Sequence, residues 1–259
     1  MEQNNIIFSN ENGIATLRFN RPKSLNALCG SMNRAILDAI ESVKNDLSIR
    51  AFIITGNEKA FAAGADISEM MAASPRLARE ISTLAIDINN VLESMHIPTI
   101  AAVNGYAWGG GFEMALACDF RIGGPHTSFC FPEVGLGIIP GANGTARITS
   151  IVGASKAKEI IMLCQRIKGE EALKLGLLNR FVEDTEVYNE AVRFAMELAI
   201  QPGCALTAAK NSVNTAALKT VEDGKVAERN EFPMLFDTHD QKEGMIAFLE
   251  KRSPNYINN

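Results

Sequence analysis

Apolar and polar residues in the first fifty positions follow a strand period and then a helical one. Residues 6–9 and 13–19 alternate in the manner of short β-strands, and the polar turn 10–13 between them is typical of a hairpin. Between residues 31 and 47 the apolar positions recur at helical spacing, with Ser31 as the predicted N-cap. The pattern therefore predicts a hairpin followed by an amphipathic helix.

Short apolar runs then alternate with helical segments up to about residue 150. The run 51–55 reads as a buried strand, and a long helix is predicted from Pro75 to Met95 with the proline in its first turn. Four shorter elements follow: a strand ending near Val103, a helix at 112–117, and strands at 119–122 and 128–131. This order predicts an α/β fold with a sheet core wrapped by helices, and its strand–strand–helix rhythm indicates a repeated spiral.

Beyond about Gly141 the pattern becomes helical, with one short strand predicted at 179–182. The predicted helical segments are 143–151, 155–164, 169–175, 185–200, 203–218, 220–236 and 239–251. No Ser/Gly-rich linker separates them from the preceding residues. We therefore expect a packed extension or an assembly element rather than an independent domain.

Composition and charge exclude several function classes. The 259 residues carry a net charge of −5, which argues against a dominant surface for nucleic acid or anionic membranes. No apolar run approaches the roughly 18–20 residues of a membrane span, and the polar first residues lack the pattern of a signal peptide. The five cysteines are dispersed without metal-ligand spacing, which indicates reduced thiols in a soluble, cytoplasmic or organelle-matrix protein.

Two stretches of small residues are candidates for binding an oxygen atom through the main chain. Residues 61–66 (FAAGAD) follow the apolar run 51–55, and residues 108–113 (WGGGFE) follow the run 99–103. Residues without bulk let the backbone approach a ligand closely, and the glycine triplet opens a helix whose first N–H groups are free. Two such N–H groups converging on one oxygen would form an oxyanion hole.

Two glutamates are candidates for acid–base chemistry. Glu113 is predicted in the first turn of a helix, where the helix dipole favours the ionised carboxylate. Glu133 lies between apolar residues, and an apolar pocket would raise its pKa. Carboxylates whose pKa values are moved apart suit a base and an acid. The alternative for each is a solvated surface charge.

Other motifs point less directly to chemistry. The Gly-rich stretches lack the order of a dinucleotide-binding loop or a P-loop, and no GxSxG or HExxH motif is present. The three histidines favour surface or capping roles: His96, His126 and His239. Asp66 is predicted to cap a helix, with support of its loop as the alternative. Trp108 and Phe112 are expected in the core, with pocket walls as the alternative.

Taken together, these motifs resemble the crotonase family of enoyl-CoA hydratases and isomerases, and the resemblance covers essentially the whole chain. It rests on residues 20–28 (NRPKSLNAL), 59–67 (KAFAAGADI), 97–113 (IPTIAAVNGYAWGGGFE), 131–141 (FPEVGLGIIPG) and 236–252 (FDTHDQKEGMIAFLEKR). The resemblance implies a crotonase-like spiral of strand-strand-helix turns with a C-terminal helical extension. It also implies a catalytic core over 1–195 and a trimerisation region over 196–259, in a homotrimer or a dimer of trimers.

The resemblance further implies a site and a substrate. Ala65 and Gly110 would supply the N–H groups that bind a thioester carbonyl, and Glu113 and Glu133 would hold one water between them. Glu113 would help deprotonate that water for attack on the β-carbon, and Glu133 would protonate the α-carbon. The residues implied to contact the adenine end of coenzyme A are Ala63, Asp66, Ile67 and Ser68. Coenzyme A would enter only as part of the acyl-CoA substrate, with no metal and no permanently bound cofactor.

Four positions depart from the family pattern. Ser68 stands where many relatives have a basic residue near the nucleotide phosphates, and Phe112 is bulkier than the cysteine frequently found there. Asn143 and Ala146 replace a glycine and a glutamine, and with Phe112 they could reshape the acyl pocket. The alternative functions are a β,γ-to-α,β enoyl-CoA isomerase, a specialised hydroxyacyl-CoA dehydratase, and a non-catalytic RNA-binding or assembly protein.

Overall fold

Strands alternate between two β-sheets along this chain, of which the computed structural model describes residues 4–258. The strands are β1 Ile6–Glu11, β2 Ile14–Phe19, β3 Ala51–Thr55, β4 Ala60–Ala62, β5 Thr99–Val103, β6 Tyr106–Trp108, β7 Phe120–Gly123, β8 Ser128–Cys130, β9 Ile167–Lys168 and β10 Arg180–Phe181. The helices are α1 Gly30–Asn45, α2 Ile67–Met70, α3 Pro75–Glu93, α4 Gly110–Ala117, α5 Gly144–Met162, α6 Gly169–Lys174, α7 Val187–Ala199, α8 Gly203–Leu218, α9 Val221–Met234 and α10 His239–Glu250.

The larger sheet has the strand order β1-β2-β3-β5-β7-β10. Its β1 and β2 form the predicted hairpin, with Ile6 opposite Phe19, while β2 to β10 run parallel to one another. The smaller sheet has the order β4-β6-β8-β9, in which β4, β6 and β8 are parallel. All five residues of β3 are buried, since a parallel strand is covered on both faces.

The chain passes through the two sheets in successive turns. Strands β3, β5 and β7 each lie in the larger sheet, and each is followed by a strand of the smaller sheet, β4, β6 and β8. Helices then complete the three turns: α2 and α3, then α4, then α5. This order confirms the predicted α/β spiral. The short strands β4, β6 and β9 were not predicted as separate elements, because two or three residues are too few to establish a period.

The first helix begins differently from the prediction. Ser31 was expected as the N-cap, but α1 starts at Gly30 after Cys29, which makes no side-chain cap bond. The Gly30 N–H instead donates to the Glu69 carboxylate at 2.8 Å, while the Ser31 hydroxyl accepts from Asn5 at 3.1 Å. A residue distant in sequence therefore supplies the cap, which local pattern cannot reveal.

The C-terminal helices follow the sequence pattern closely. The segments predicted at 143–151 and 155–164 are the two helical parts of α5, which meet at a kink where Gly153 has non-helical angles (φ 77°, ψ 158°). The predicted boundary after residue 195 falls inside α7, whose buried Ala191 and Ala195 pack against the larger sheet. The last helices, α8 to α10, follow this covering helix.

Candidate active site

The two stretches of small residues come together because they follow neighbouring strands. β4 and β6 pair in parallel, and the chain leaves them at the same edge of the small sheet. Helix α4 starts against β4 so closely that a methyl group on Gly111 would lie 2.2 Å from the Ala62 carbonyl oxygen. Only a residue without a side chain allows this approach. The start of α4 is therefore held beside residues 63–66.

Ala65 and Gly110, the residues predicted to supply N–H groups, lie close together. A methyl group on Gly110 would lie 4.0 Å from the Ala65 nitrogen. Within residues 4–258, neither N–H donates to a protein acceptor. Gly110 is the first residue of α4, so its N–H has no partner within the helix. Two N–H groups that are close together and have no protein acceptor are candidates for an oxyanion hole formed by the main chain alone.

The shape of the first loop depends on residues whose role the sequence did not reveal. The buried Asn26 donates from Nδ2 to the carbonyl oxygens of Ala60 (2.8 Å) and Phe61 (3.1 Å). Leu28 donates its N–H to the Gly64 carbonyl at 2.8 Å and accepts from the Asp66 N–H at 3.0 Å. Both residues belong to the 20–28 motif, so that motif was the available signal. Its contacts orient the loop that carries Ala65.

The other residues predicted on this loop lie at or near the surface. Asp66 caps α2 by accepting from the N–H and hydroxyl of Ser68, and it pairs with Arg21 at 3.1 Å. The Ser68 hydroxyl, followed by Arg21, holds the pKa of the Asp66 carboxyl below its usual value. Ile67 and Ser68 are exposed, and Ala63 is half-buried. The structure thus places Ala63, Asp66, Ile67 and Ser68 on a strip flanking Ala65.

Glu113 lies in the first turn of α4 and is only 3% exposed. Its Oε1 accepts hydrogen bonds from the N–H groups of Ala142 (2.7 Å) and Gly144 (3.0 Å). Burial raises the pKa of this carboxyl, and the two N–H groups and the Arg147 guanidinium oppose that rise. The prediction that the helix start would favour ionisation misses this burial, and the anion is stabilised mainly by donors outside α4.

Glu133 begins a short 3-10 turn, Glu133–Leu136, and is 8% exposed. Its Oε2 is buried and has no hydrogen-bond partner among the described residues. Burial, with the nearby charge of Glu113, raises the pKa of Glu133 to about 7. Its Oε1 lies 2.6 Å from the position that a methyl group on Gly109 would take. The predicted rise in pKa agrees with this environment, and the carboxyl lies next to the start of α4.

Burial raises the pKa of both glutamates, but their hydrogen-bond partners differ. Glu113 has donors that stabilise its anion, whereas Glu133 has a buried oxygen without a protein donor. Groups tuned in this way suit a base and an acid acting on one substrate. Neither glutamate is the solvated surface charge that was the alternative for it.

The aromatic residues near the site divide between core and surface. Phe112 is fully buried, and its ring stacks on Phe129 and packs against Phe131, each at 4.6 Å between centroids. The core interpretation of Phe112 is therefore confirmed. Trp108 is half-buried, donates to the Ser128 hydroxyl at 3.2 Å, and lies under the Arg166 guanidinium. The expectation that Trp108 lies in the core is therefore wrong.

Two of the three histidines lie at the surface beside acidic side chains. His126 and His239 are exposed and pair with Asp184 and Asp240 respectively. Across residues 4–258, no group of three His, Cys, Asp or Glu side chains is placed to hold a metal ion. No helix in that part of the chain is long and apolar enough to cross a membrane.

Comparison with known proteins gives a consistent result. A model of the family described as Enoyl-CoA hydratase/isomerase matches residues 9–259. The crotonyl-CoA hydratase of Syntrophomonas wolfei is 40% identical over 99% of this chain and 99% of its own length. The short-chain-enoyl-CoA hydratase of Clostridium acetobutylicum is 41% identical over 97% of each. An enoyl-CoA hydratase subunit from Geobacillus kaustophilus HTA426 superposes over the full length of both chains, with 39% identity and a TM-score of 0.94.

The motifs, the spiral fold and these full-length matches agree, and the chain belongs to the enoyl-CoA hydratase/isomerase family, the crotonase superfamily.

Proposed function

We propose that this site adds water reversibly to a trans-2-enoyl-CoA to give a 3-hydroxyacyl-CoA. Enoyl-CoA hydratase activity follows from the family and from relatives about 40% identical over nearly the whole chain. One observation supports the roles of the residues. The carboxylate of Glu113 has two N–H donors, while the pKa of Glu133 is raised to about 7 and its Oε2 has no donor among the described residues.

The first role belongs to the main chain. When water adds to the double bond, electrons move from the β-carbon towards the thioester carbonyl oxygen, which becomes negatively charged. The N–H groups of Ala65 and Gly110 donate to that oxygen and stabilise the enolate more than the uncharged thioester. In comparable acyl-transfer sites, removing one such donor costs roughly 3–4 kcal/mol of transition-state stabilisation.

The glutamates handle the two protons. Glu113 accepts a proton from the water as its oxygen bonds to the β-carbon, and Glu133 gives its proton to the α-carbon as the enolate electrons return. The product is then complete, with the hydroxyl of the water on the β-carbon and the proton of Glu133 on the α-carbon. Glu113 holds the proton taken from the water, and its transfer to Glu133, directly or through the next water, restores both carboxyl groups for another turnover. Holding the water between both carboxyl groups supplies base, acid and orientation together.

The remaining roles concern the ends of the substrate. The surface strip of Ala63, Asp66, Ile67 and Ser68 beside Ala65 contacts the nucleotide end of coenzyme A. Coenzyme A takes part only as a component of the substrate, and the addition requires no metal or permanently bound cofactor. Five free cysteines suit a reducing compartment, and we place the protein in the cytoplasm.

Assembly is proposed for the C-terminal residues 196–259. Large apolar side chains are exposed on α9 and α10, including Phe232, Phe248 and Leu249. Exposed apolar groups of this size mark protein–protein contacts. We propose a homotrimer, alone or as a dimer of trimers, and sedimentation would give three or six times the mass of one chain.

The test is the loss of enoyl-thioester absorbance with crotonyl-CoA, in the wild type and the variants Glu113→Gln and Glu133→Gln. Each substitution keeps the size of the side chain and removes its proton chemistry, so turnover should fall by at least about 100-fold. Glu11→Gln, at an exposed position on β1, serves as the control. Full turnover in either site variant removes that glutamate from the mechanism. Conversion of a β,γ-enoyl-CoA without hydration would assign the isomerase reaction instead.

A further inference from the structure

Two backbone N–H groups reach the same oxygen of Glu113 because the residue between them has a left-handed conformation. Ala142 and Gly144 both donate to Oε1, and Asn143 between them has φ 67° and ψ 16°. Successive N–H groups turn towards one side of the chain when such a residue interrupts the usual backbone geometry. Asparagine adopts this conformation more readily than other residues with a side chain.

The segment 142–144 is also held by hydrogen bonds to its carbonyl oxygens. The Ala142 carbonyl oxygen accepts from Arg147 Nη1 at 3.0 Å and from the buried Asn89 Nδ2 at 3.1 Å. The Arg147 N–H donates to the Asn143 carbonyl at 3.2 Å. Ala142 therefore has its N–H on Glu113 and its carbonyl on two side chains.

Arg147 is fixed in turn by α3. Its guanidinium is almost fully buried, with Nε 2.9 Å from Glu93 Oε1 and Nη2 3.3 Å from Asn90 Oδ1. A buried guanidinium with several acceptors has little freedom to move. A continuous set of hydrogen bonds thus leads from α3 through Arg147 and Ala142 to Glu113.

We propose that Arg147 and Asn143 are positioning residues for the hydration, which hold the N–H groups of Ala142 and Gly144 on Glu113 and keep its carboxylate aimed and ionised. The inference rests on the proposed function, since it assigns Glu113 the part of the base. Neither residue needs to touch the substrate in this arrangement.

The electrostatics agree with this geometry. Burial raises the pKa of Glu113, while the two N–H groups and the positive charge of Arg147 lower it. Two other carboxyl groups face this network: Glu133, whose pKa is raised to about 7, and Glu93, which pairs with Arg147. Weakening the hold of Arg147 or Asn143 should therefore favour the protonated form of Glu113.

Two pairs of variants test the proposal through the pH dependence of kcat for crotonyl-CoA hydration. Asn143→Gly keeps access to the left-handed conformation, while Asn143→Ala strains it. Arg147→Lys keeps the positive charge but loses the planar set of guanidinium N–H donors, while Arg147→Met loses both the charge and the donors. Arg76→Met, at an exposed position on α3, is the control.

We expect wild-type behaviour from Asn143→Gly and a fall in kcat of about tenfold from Asn143→Ala. The acidic limb of the profile should move to higher pH, by about one unit in Arg147→Met and less in Arg147→Lys, because an ionised Glu113 is harder to form. A folded Asn143→Ala variant with the wild-type kcat and an unmoved limb would overturn the proposal. An equal loss of activity in Asn143→Gly and Asn143→Ala would also overturn the proposal.

If the proposed function is wrong, the folded wild type will not hydrate crotonyl-CoA or longer enoyl-CoA substrates. That result is distinct from a failure of the positioning role. The crystal structure of Asn143→Ala still decides the positioning role in that case. Loss of a bond from Ala142 or Gly144 to Glu113 Oε1 supports it, and retention of both bonds refutes it. The Asn143 pair keeps the test valid even where Arg147→Met does not fold.

Discussion

Gly144 lies so close to Glu113 that a methyl group on the glycine would stand 2.7 Å from the Glu113 Cγ and 2.8 Å from its Oε1. The carboxylate therefore occupies the space that any side chain at position 144 would need. Because Gly144 also donates its N–H to Oε1, contact and hydrogen bond together set the direction of the carboxylate.

Gly144→Ala should displace Glu113 and lower kcat for crotonyl-CoA by about 100-fold, since an error of about 1 Å in a catalytic group has effects of this size. Gly30→Ala is the matched control, because Gly30 also begins a helix but a methyl there makes only ordinary contacts. Equal kcat in the two variants would show that the position of Glu113 does not limit turnover.

A second pair of glycines separates backbone strain from contact with Glu133. Gly109 (φ 49°, ψ −124°) and Gly153 (φ 77°, ψ 158°) both have positive φ angles outside the left-handed helical region, so alanine at either adds strain of about 1–3 kcal/mol. A methyl on Gly109 would lie 2.6 Å from Glu133 Oε1, whereas one on Gly153 has no neighbour within 4 Å among the described residues. We expect Gly109→Ala to lose far more kcat than Gly153→Ala. Similar losses would assign the effect to strain alone.

The pH profile of kcat/KM should have a basic limb near neutrality. Glu133 must carry its proton to act as the acid, and its pKa is about 7 before substrate binds. Activity therefore falls as pH rises through about 7, and it also falls at low pH when Glu113 becomes protonated. Initial rates between pH 4 and 9 at low crotonyl-CoA concentration measure both limbs. A profile that stays flat from pH 6 to 9 contradicts the assignment of the acid.

Glu133 also links stability to pH. Its folded-state pKa of about 7 is above the ordinary glutamate value of 4.5, so folding favours the protonated carboxyl. Its ionisation costs nothing below about pH 4.5, and the cost grows to roughly 3 kcal/mol above pH 7. Glu133→Gln should therefore raise the midpoint of unfolding relative to wild type more at pH 8 than at pH 4.5. The same difference at both pH values would contradict the raised pKa.

Lys210, whose side chain is 9% exposed, is one of the residues that bind helix α8 to the spiral. Lys210 Nζ donates to Asp119 at 2.8 Å and to the carbonyls of Leu92 and Ile97 at 3.3 Å. Lys210→Met leaves Asp119 without its charged partner, and we expect a loss of about 3–5 kcal/mol in urea unfolding. Asp119→Asn in the same chain should restore part of that loss. Arg76 forms an exposed ion pair with Glu80 and serves as the control. Arg76→Met should lower the free energy of unfolding by less than about 1 kcal/mol.

Local sequence patterns were sufficient to predict the elements whose residues share one environment along their length. β3 was predicted at 51–55 and is found at Ala51–Thr55, because its first four residues are apolar and all five are buried. α3 begins at Pro75 as predicted, with the Ser74 hydroxyl accepting from the Leu77 N–H. Such elements carry their period and their boundary residues within one contiguous stretch.

The contacts around the candidate site could not be predicted in this way. Asn143 was noted only as a departure from a glycine, although its tolerance of the left-handed conformation was a usable signal. Arg147 had no signal at all, because its partners Glu93 and Ala142 are chosen by the packing of α3 against α5. Burial of a charged side chain depends on such packing and is not encoded locally.

The sequence by itself determined the family, the α/β spiral and the pair of glutamates, because contiguous motifs carry all three. Only the tertiary structure decided which N–H groups reach Glu113, from residues 29 and 31 positions away, and that Glu133 Oε2 has no donor within residues 4–258. Those contacts and the depth of burial set the proton affinity of each carboxyl. They arise when separate segments pack together, which is why the sequence alone does not reveal them.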